Sequence, residues 1–200
     1  MDSPDSIIFV DGGSTDQSRA LIHEHGFECL QCNPSRAKQM NLGTKNSTSD
    51  IILYLHIDTY ITSSNISSIK KTYTEGYSSG RFDISFTNKC LSYCIISFFI
   101  NARSRISKIC TGDQAMFIRR DLFERIGGYP DIPLMEDIAI SKVLKKYGKV
   151  ACLKDKVLTS NRRWAKNGVI HTILLMWKIR FLYWLGIKPE KLAYMYRNTR

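Results

Sequence analysis

Four carboxylates in this sequence stand where an apolar run or a shaped loop hands over to the next element. Asp11 ends a run in VDGGSTD, followed by Gly12 and Gly13; Asp58 ends another in HIDT; Glu136 and Asp137 open a helical segment in PDIPLMEDIAISK. The two glycines allow a tight turn through which a ligand can approach the backbone closely. Hard oxygen ligands such as Asp58 suit Mg²⁺ or Mn²⁺. A carboxylate presented at the end of the mostly apolar loop GGYPDIPLM can serve as a general base. Each acid also has a plainer reading. Asp11 can cap a turn and Asp58 can start a loop, while acids in the first turn of a helix gain ~0.3–1 kcal/mol from the macrodipole.

Basic and amide groups complete a set suited to a diphosphate. Arg36, Lys38, Gln39 and Asn41 cluster in SRAKQMNLG at a helix start, and Arg162, Arg163 and Trp164 form NRRW. Arginine offers forked donors and helix N-termini offer backbone amides to phosphate oxygens; the alternative for each cluster is a solvated face.

The elements that position these residues follow from periodicity. SIIFVD is a short continuous apolar run, as in a strand buried on both faces. Ser14 with Gln17 has capping-box spacing for a helix over TDQSRALIHEHG. FECLQC is a second strand, Ser35 caps a helix through Lys45, and DIILYLHID is a third strand. This alternation predicts an α/β chain with a mostly parallel sheet and helices on both faces. Ligands in such sheets bind beyond the carboxyl ends of the strands, where Asp11 and Asp58 fall. Further on, SSNISSIKKTYTEG reads as a helix, RFDISF as a strand, LSYCIISFFINARSRISKI as an apolar helix with a basic end and QAMFIRR as a strand. A helix over 137–147 follows, with apolar Ile140, Val143, Leu144 and Tyr147 at helical spacing and Gly148 at its end. KVACL is a strand, and a helical tail runs from Trp164, its last helix starting at Pro189.

Two hundred residues, 44% of them hydrophobic, suffice for one well-packed domain. We read it as residues 6–60, a nucleotide-binding half; 61–163, an acceptor and catalytic half; and 164–200, a helical tail. The net charge of +11 favours phosphates or anionic surfaces without choosing among them. A basic nucleic-acid module is a rival reading. The chain lacks its signatures, namely a helix-turn-helix, an RRM or an interleaved basic and aromatic platform, so no nucleic-acid partner is expected. The opening MDSPDS lacks the basic and apolar parts of a secretory signal. With six cysteines, a reducing compartment and free thiols are expected. Cys29 and Cys32 fall on opposite faces of a strand, which disfavours chelation.

In order, VDGGSTD, RAKQMNLG, HIDT, GDQAMFIRRDLFERIGGYPDIPLMEDIAIS and NRRW followed by ILLMWKIRFLYWLGIKPEKLA resemble the family 2 glycosyltransferases of the GT-A fold. Within that family they resemble a small bacterial subgroup of arsenosugar-type or cell-envelope enzymes. The resemblance implies transfer of a sugar from a UDP- or GDP-sugar to a sugar, lipid-linked or small-molecule acceptor, with a divalent cation (Mg²⁺ or Mn²⁺) bridging the diphosphate. It implies that Asp11, with Gly12 and Gly13, contacts the nucleotide and that Asp58 is the metal-binding aspartate of a DxD motif, with His56 in the place of that motif's first acid. Asp137 of the Glu136–Asp137 pair would be the base, and Gly112, Asp113 and Gln114 a loop near the sugar. Arg36, Gln39, Asn41, Arg163 and Trp164 would serve the nucleotide, although Ser160 stands where the QxxRW motif has its glutamine. A single base implies direct displacement with inversion. Family members begin with one more strand and helix bearing a P-x-Y/L-N-E stretch. Nothing before Ser6 supplies it, so the chain is expected to lack its first βα unit, and an inactive remnant is the alternative reading.

The tail segment VIHTILLMWKIRFLYWLGI approaches the length of a membrane span, but His171, Lys178 and Arg180 interrupt it, and each central Lys or Arg costs ~2.5–3.5 kcal/mol. A core helix is one reading. The other, which we favour, is a helix resting on the cytoplasmic face of a membrane, with Trp177, Tyr183 and Trp184 at headgroup level and Lys178, Arg180 and Lys188 near anionic lipid. The chain is thus expected to be cytoplasmic and peripheral at the inner face.

Overall fold

The computed structural model describes residues 6–198. The first half alternates as its sequence predicts: β1 (Phe9–Asp11), α1 (Ser18–Glu24), β2 (Cys29–Gln31), α2 (Arg36–Lys45) and β3 (Ile51–Leu53). Ser35 caps α2 as expected, its hydroxyl accepting the Lys38 amide at 3.3 Å. Ser14 does not cap α1. Gln17 holds that position without a side-chain bond, because the Ser14 hydroxyl is drawn to Asp11 instead. The second half supplies β4 (Thr59–Tyr60), α3 (Ser63–Thr74), β5 (Ser79–Phe86), α4 (Leu91–Ser107), a 3-10 turn (Gly112–Gln114), β6 (Phe117–Arg119) and α5 (Arg120–Arg125). It closes with α6 (Glu136–Tyr147), β7 (Val150–Thr159), α7 (Arg162–Asn167), α8 (Val169–Trp184) and α9 (Pro189–Asn198).

The α/β class holds, but the sheet is mixed rather than mostly parallel. β1 and β2 form a parallel pair of their own, and a five-stranded sheet runs β3-β6-β5-β7-β4. In it only β5 and β7 are parallel, while β3 with β6, β6 with β5 and β7 with β4 are antiparallel. An apolar run tells which faces are buried but not the direction of its neighbour. The free edges of β1 and β3 have no ladder partner among the described strands, and both strands are only partly buried. α2 spans the gap: its Gln39 amide donates to the Val10 carbonyl at 2.8 Å, and its Thr44 hydroxyl meets the Tyr54 hydroxyl at 2.7 Å.

The main core lies between β5 and α4, where Phe82, Ile84 and Phe86 meet Tyr93 and Ile96. A register shift between Arg81 and Asp83 marks a bulge in β5. Both side chains are buried, and the Asp83 carboxylate is paired with both Arg81 and Arg105. A separate cluster joins Met135 and Ile138 to Ile179 of α8 and Leu192 of α9, so the tail helices pack against the start of α6. Tyr183 takes part in that packing and stacks under the Lys142 ammonium at 5.0 Å. It faces the domain, contrary to its expected headgroup position.

Candidate active site

Asp11 closes the turn that follows β1. Its carboxylate accepts the Gly13 amide at 3.0 Å and the Ser14 amide at 3.0 and 3.1 Å, together with the Ser14 hydroxyl. Gly13 makes this possible by adopting a φ of 99°. The Ser14 hydroxyl bond above all, with the two amides and Arg19, holds the Asp11 pKa below its ordinary value. The geometry is therefore that of a turn-capping aspartate, and Gly12 packs against the Gln39 amide.

α2 carries the next residues. Arg36 reaches the Glu136 carboxylate at 3.8 Å, which joins the start of α2 to the start of α6. The two ends of the Asn41 amide are taken by the backbone of Tyr129: Nδ2 donates to its carbonyl and Oδ1 accepts its amide, both at 2.9 Å. The structure thus gives Asn41, expected at the nucleotide, the task of a strut that fixes the loop before α6. Asn41→Ala is expected to cost about 1–3 kcal/mol, since it orphans two buried backbone groups, with nucleotide affinity unchanged. Urea unfolding and calorimetry read the two effects separately.

Glu136 and Asp137 follow Met135, whose φ of 70° is unusual for a side chain with a Cβ. Met135 is buried against Ile179 and Leu192, and that packing holds the turn. Glu136 is buried. Asp137 is half-buried, and its carboxylate accepts the Ile138 amide at 2.7 Å and the Gly112 amide at 3.2 Å. Desolvation, then the neighbouring Glu136 charge, push its pKa up to about 7 against those two bonds. Ser141 ties the same corner together, its hydroxyl donating to the Asp137 carbonyl at 2.7 Å and accepting the Cys110 amide at 3.1 Å.

The 3-10 turn brings the second half of the constellation close. A methyl group on Gly112 would lie 2.5 Å from His56 Cε1, so only glycine lets the imidazole approach this backbone. Desolvation, then Arg36, lower the His56 pKa, while Asp113 and Asp58 oppose them. His56, Asp58, Gly112, Asp113, Glu136, Asp137 and Arg36 therefore share one neighbourhood. Gln114 does not line it: fully buried, it donates to the Phe82 carbonyl and accepts from Thr111. Trp164 packs edge-on to Phe86 with ring centres 6.0 Å apart, in the main core rather than at the acids. The Arg163 side chain lies outside the described residues.

Arg103 escapes a sequence reading because it sits in an apolar helix with an ordinary basic end. Its Nε and Nη2 are buried with no hydrogen-bond partner among the described residues. Burial lowers its pKa, and the charges of Asp113 and Asp137 oppose that shift only in part. A cation at a helical position within reach of two separately predicted acids is a signal that only the fold can combine.

The described residues contain no group of three His, Cys, Asp or Glu placed to hold a metal. A Mg²⁺-like ion needs less from the protein, keeping waters and substrate phosphates around one or two carboxylates. The half-buried Asp58 has no side-chain bond or ion pair among the described residues and stands beside a desolvated imidazole. These donors fit such an ion.

A family model described as glycosyl transferase family 2 matches residues 2–127. The chain belongs to glycosyl transferase family 2. The matched segment runs from before β1 to the end of α5 and stops short of Glu136 and Asp137. No curated protein matches the chain. Among solved structures, S. aureus TarS residues 1–349 superposes with a TM-score of 0.58 at 14% identity, covering 88% of this chain and 55% of that one. The mannosyltransferase PcManGT from Pyrobaculum calidifontis, solved with GDP-Man and Mn²⁺, gives a TM-score of 0.58 at 16% identity, covering 76% and 46%. A mycobacterial protein gives 0.52 at 13% identity, covering 78% and 55%. This family 2 domain thus has the GT-A fold and spans about half the length of these structures.

Proposed function

We propose that this domain moves a glycosyl group from a UDP- or GDP-sugar to the hydroxyl of a sugar, lipid-linked or small-molecule acceptor, with inversion and with Asp137 as base. The observation that carries this reading is the Asp137 carboxylate, desolvated yet aimed by the Gly112 and Ile138 amides and raised to about 7, where a base both exists deprotonated and has proton affinity. The acceptor oxygen attacks the anomeric carbon as its proton passes to Asp137. The bond to the diphosphate oxygen breaks, and its electron pair leaves with the nucleoside diphosphate.

Asp58, aided by His56, would hold the divalent cation, which when bound neutralises charge on the departing diphosphate. Arg36 and Arg103 add positive charge at the same place. Asp11, Gly12 and Gly13 shape the turn against which the nucleotide lies, Gln39 bracing it from behind, and Asp113 faces the sugar. Support for a nucleotide-sugar donor comes from the PcManGT structure, which carries GDP-Man and Mn²⁺. Support for an envelope acceptor comes from the likeness to the arsenosugar-type and cell-envelope subgroup, and from the position of α8. No described helix is long and apolar enough to cross a membrane, but α8 exposes Trp177 and Trp184. It is suited to rest on the inner face of a cytoplasmic membrane.

Incubation with UDP- and GDP-sugars, Mn²⁺ and an acceptor panel tests the reaction: acceptor-dependent release of nucleoside diphosphate with an inverted anomeric centre is expected. Retention of configuration or acceptor-independent release only would overturn it. Asp58→Ala is expected to weaken nucleotide binding in the presence of Mn²⁺ and to leave metal-free binding unchanged. Equal Mn²⁺-dependent affinities for mutant and parent, by calorimetry, would remove the metal from HIDT.

A further inference from the structure

α4 has two apolar sides, and among the described residues only one of them is packed in a core cluster. Tyr93 and Ile96 are buried in the main core, whereas Leu91, Ile95, Phe98 and Phe99 are exposed, the two phenylalanines by about two-thirds (66% and 65%). Their spacing of four, seven and eight residues from Leu91 puts them on one helical face. On α8 the exposed Ile170, Leu174, Trp177, Phe181 and Trp184 likewise follow one face, with Thr172 and Ile179 buried on the other. Both helices pack on the core cluster that holds the end of β5. The Tyr93 ring lies 5.4 Å from Phe86 and the Trp164 ring 6.0 Å from it on α7, and Val169 and Ile173 of α8 join Ile96 and Ile100 of α4 in the same cluster.

The segments that carry these two helices hold charge of a single sign. No Asp or Glu occurs between Asp83 and Asp113 or between Asp155 and Glu190, and Lys89, Lys108, Lys166, Lys178 and Lys188 are all exposed there. A second copy of the chain would set like charges against each other, and a nucleic acid has no use for a row of leucine, isoleucine and phenylalanine. Exposed aromatic and aliphatic side chains amid lysines match an anionic lipid surface, whose acyl boundary takes the former and whose headgroups take the latter.

We infer that α4 and α8 together form a membrane-binding face for anionic lipid, with α4 as the second, independent contact. The inference rests on the reading of α8 given above and extends it to a helix on the catalytic half of the domain. Two helices fix orientation as well as affinity. The acids of α6, packed on Ile179 of α8 through Met135 and Ile138, are then held at a set height beside the bilayer.

Flotation of the full chain with phosphatidylcholine vesicles, with and without phosphatidylglycerol, is compared with Phe98→Ser/Phe99→Ser on α4 and Trp177→Ser/Trp184→Ser on α8. Thermal melts serve to show that these exposed changes leave the fold intact. Each double variant is expected to lower partitioning onto phosphatidylglycerol vesicles by roughly tenfold or more, and high salt to weaken it further. A parent that floats and is lost only with the α8 variant overturns the role of α4 and leaves that of α8 standing. A parent that never floats overturns both. Equal binding to neutral vesicles overturns the choice of anionic lipid, and a dimer in solution that Phe98→Ser/Phe99→Ser dissolves assigns the face to a second copy instead.

Discussion

Asp137→Asn is expected to lower turnover by about 10²–10⁴-fold, the range supplied by a positioned general base, with nucleotide affinity nearly unchanged because no diphosphate contact is lost. Its pH behaviour separates this role from a structural one. The carboxyl is raised from 3.8 to about 7, so the native protein keeps a proton that the unfolded chain releases across that window. Stability from this group is therefore present below 3.8 and is lost as the pH rises towards 7. The parent should gain activity with rising pH and level off above about 7, while Asp137→Asn should be the more stable protein at alkaline pH. A turnover that is flat from about pH 5 to about pH 8 would sink the assignment of the base.

The second large effect is on folding. Asp83 lies between two guanidiniums, and Arg81 is almost fully buried. Asp83→Ala leaves that charge without its counter-ion and is expected to cost about 3–5 kcal/mol, read as a fall in the urea midpoint. The pair itself contributes far less than its loss costs, so Arg81→Met combined with Asp83→Leu should recover most of the stability. A single mutant within about 1 kcal/mol of the parent would show that water reaches Arg81.

The sequence made the elements readable wherever local signals sufficed. Ser35 announces α2, the spacing of Ile140 and Leu144 announces α6, and the family motifs bring Asp58, Asp113 and Asp137 into one reading. What stayed hidden depends on contacts between distant residues. Asn41 looks like a phosphate-facing amide until Tyr129, far along the chain, occupies both of its ends. Gln114 sits in a polar motif yet is buried, and Trp164 in a binding motif yet packs on Phe86. Arg103 looks like one basic residue among several until the fold sets its donors among buried groups near two acids. The direction of β6 was equally illegible, since an apolar strand satisfies its faces alike in parallel or antiparallel pairing.

The gap between β1 and β3 has a mechanical consequence. In a continuous sheet neighbouring strands belong to one stiff plate, whereas here, among the described residues, no ladder of backbone bonds runs between the strand that ends in Asp11 and the sheet that supports His56 and Asp58. α2 is a beam between them, fastened by Gln39 to Val10, by Asn41 to Tyr129 and by Arg36 to Glu136. These fastenings are side chains, which yield by rotating, so the separation between Asp11 and the edge that carries His56 and Asp58 is compliant. A ligand that bridges the two adds the cross-brace the backbone does not provide, and part of its binding energy is taken up in quieting that motion.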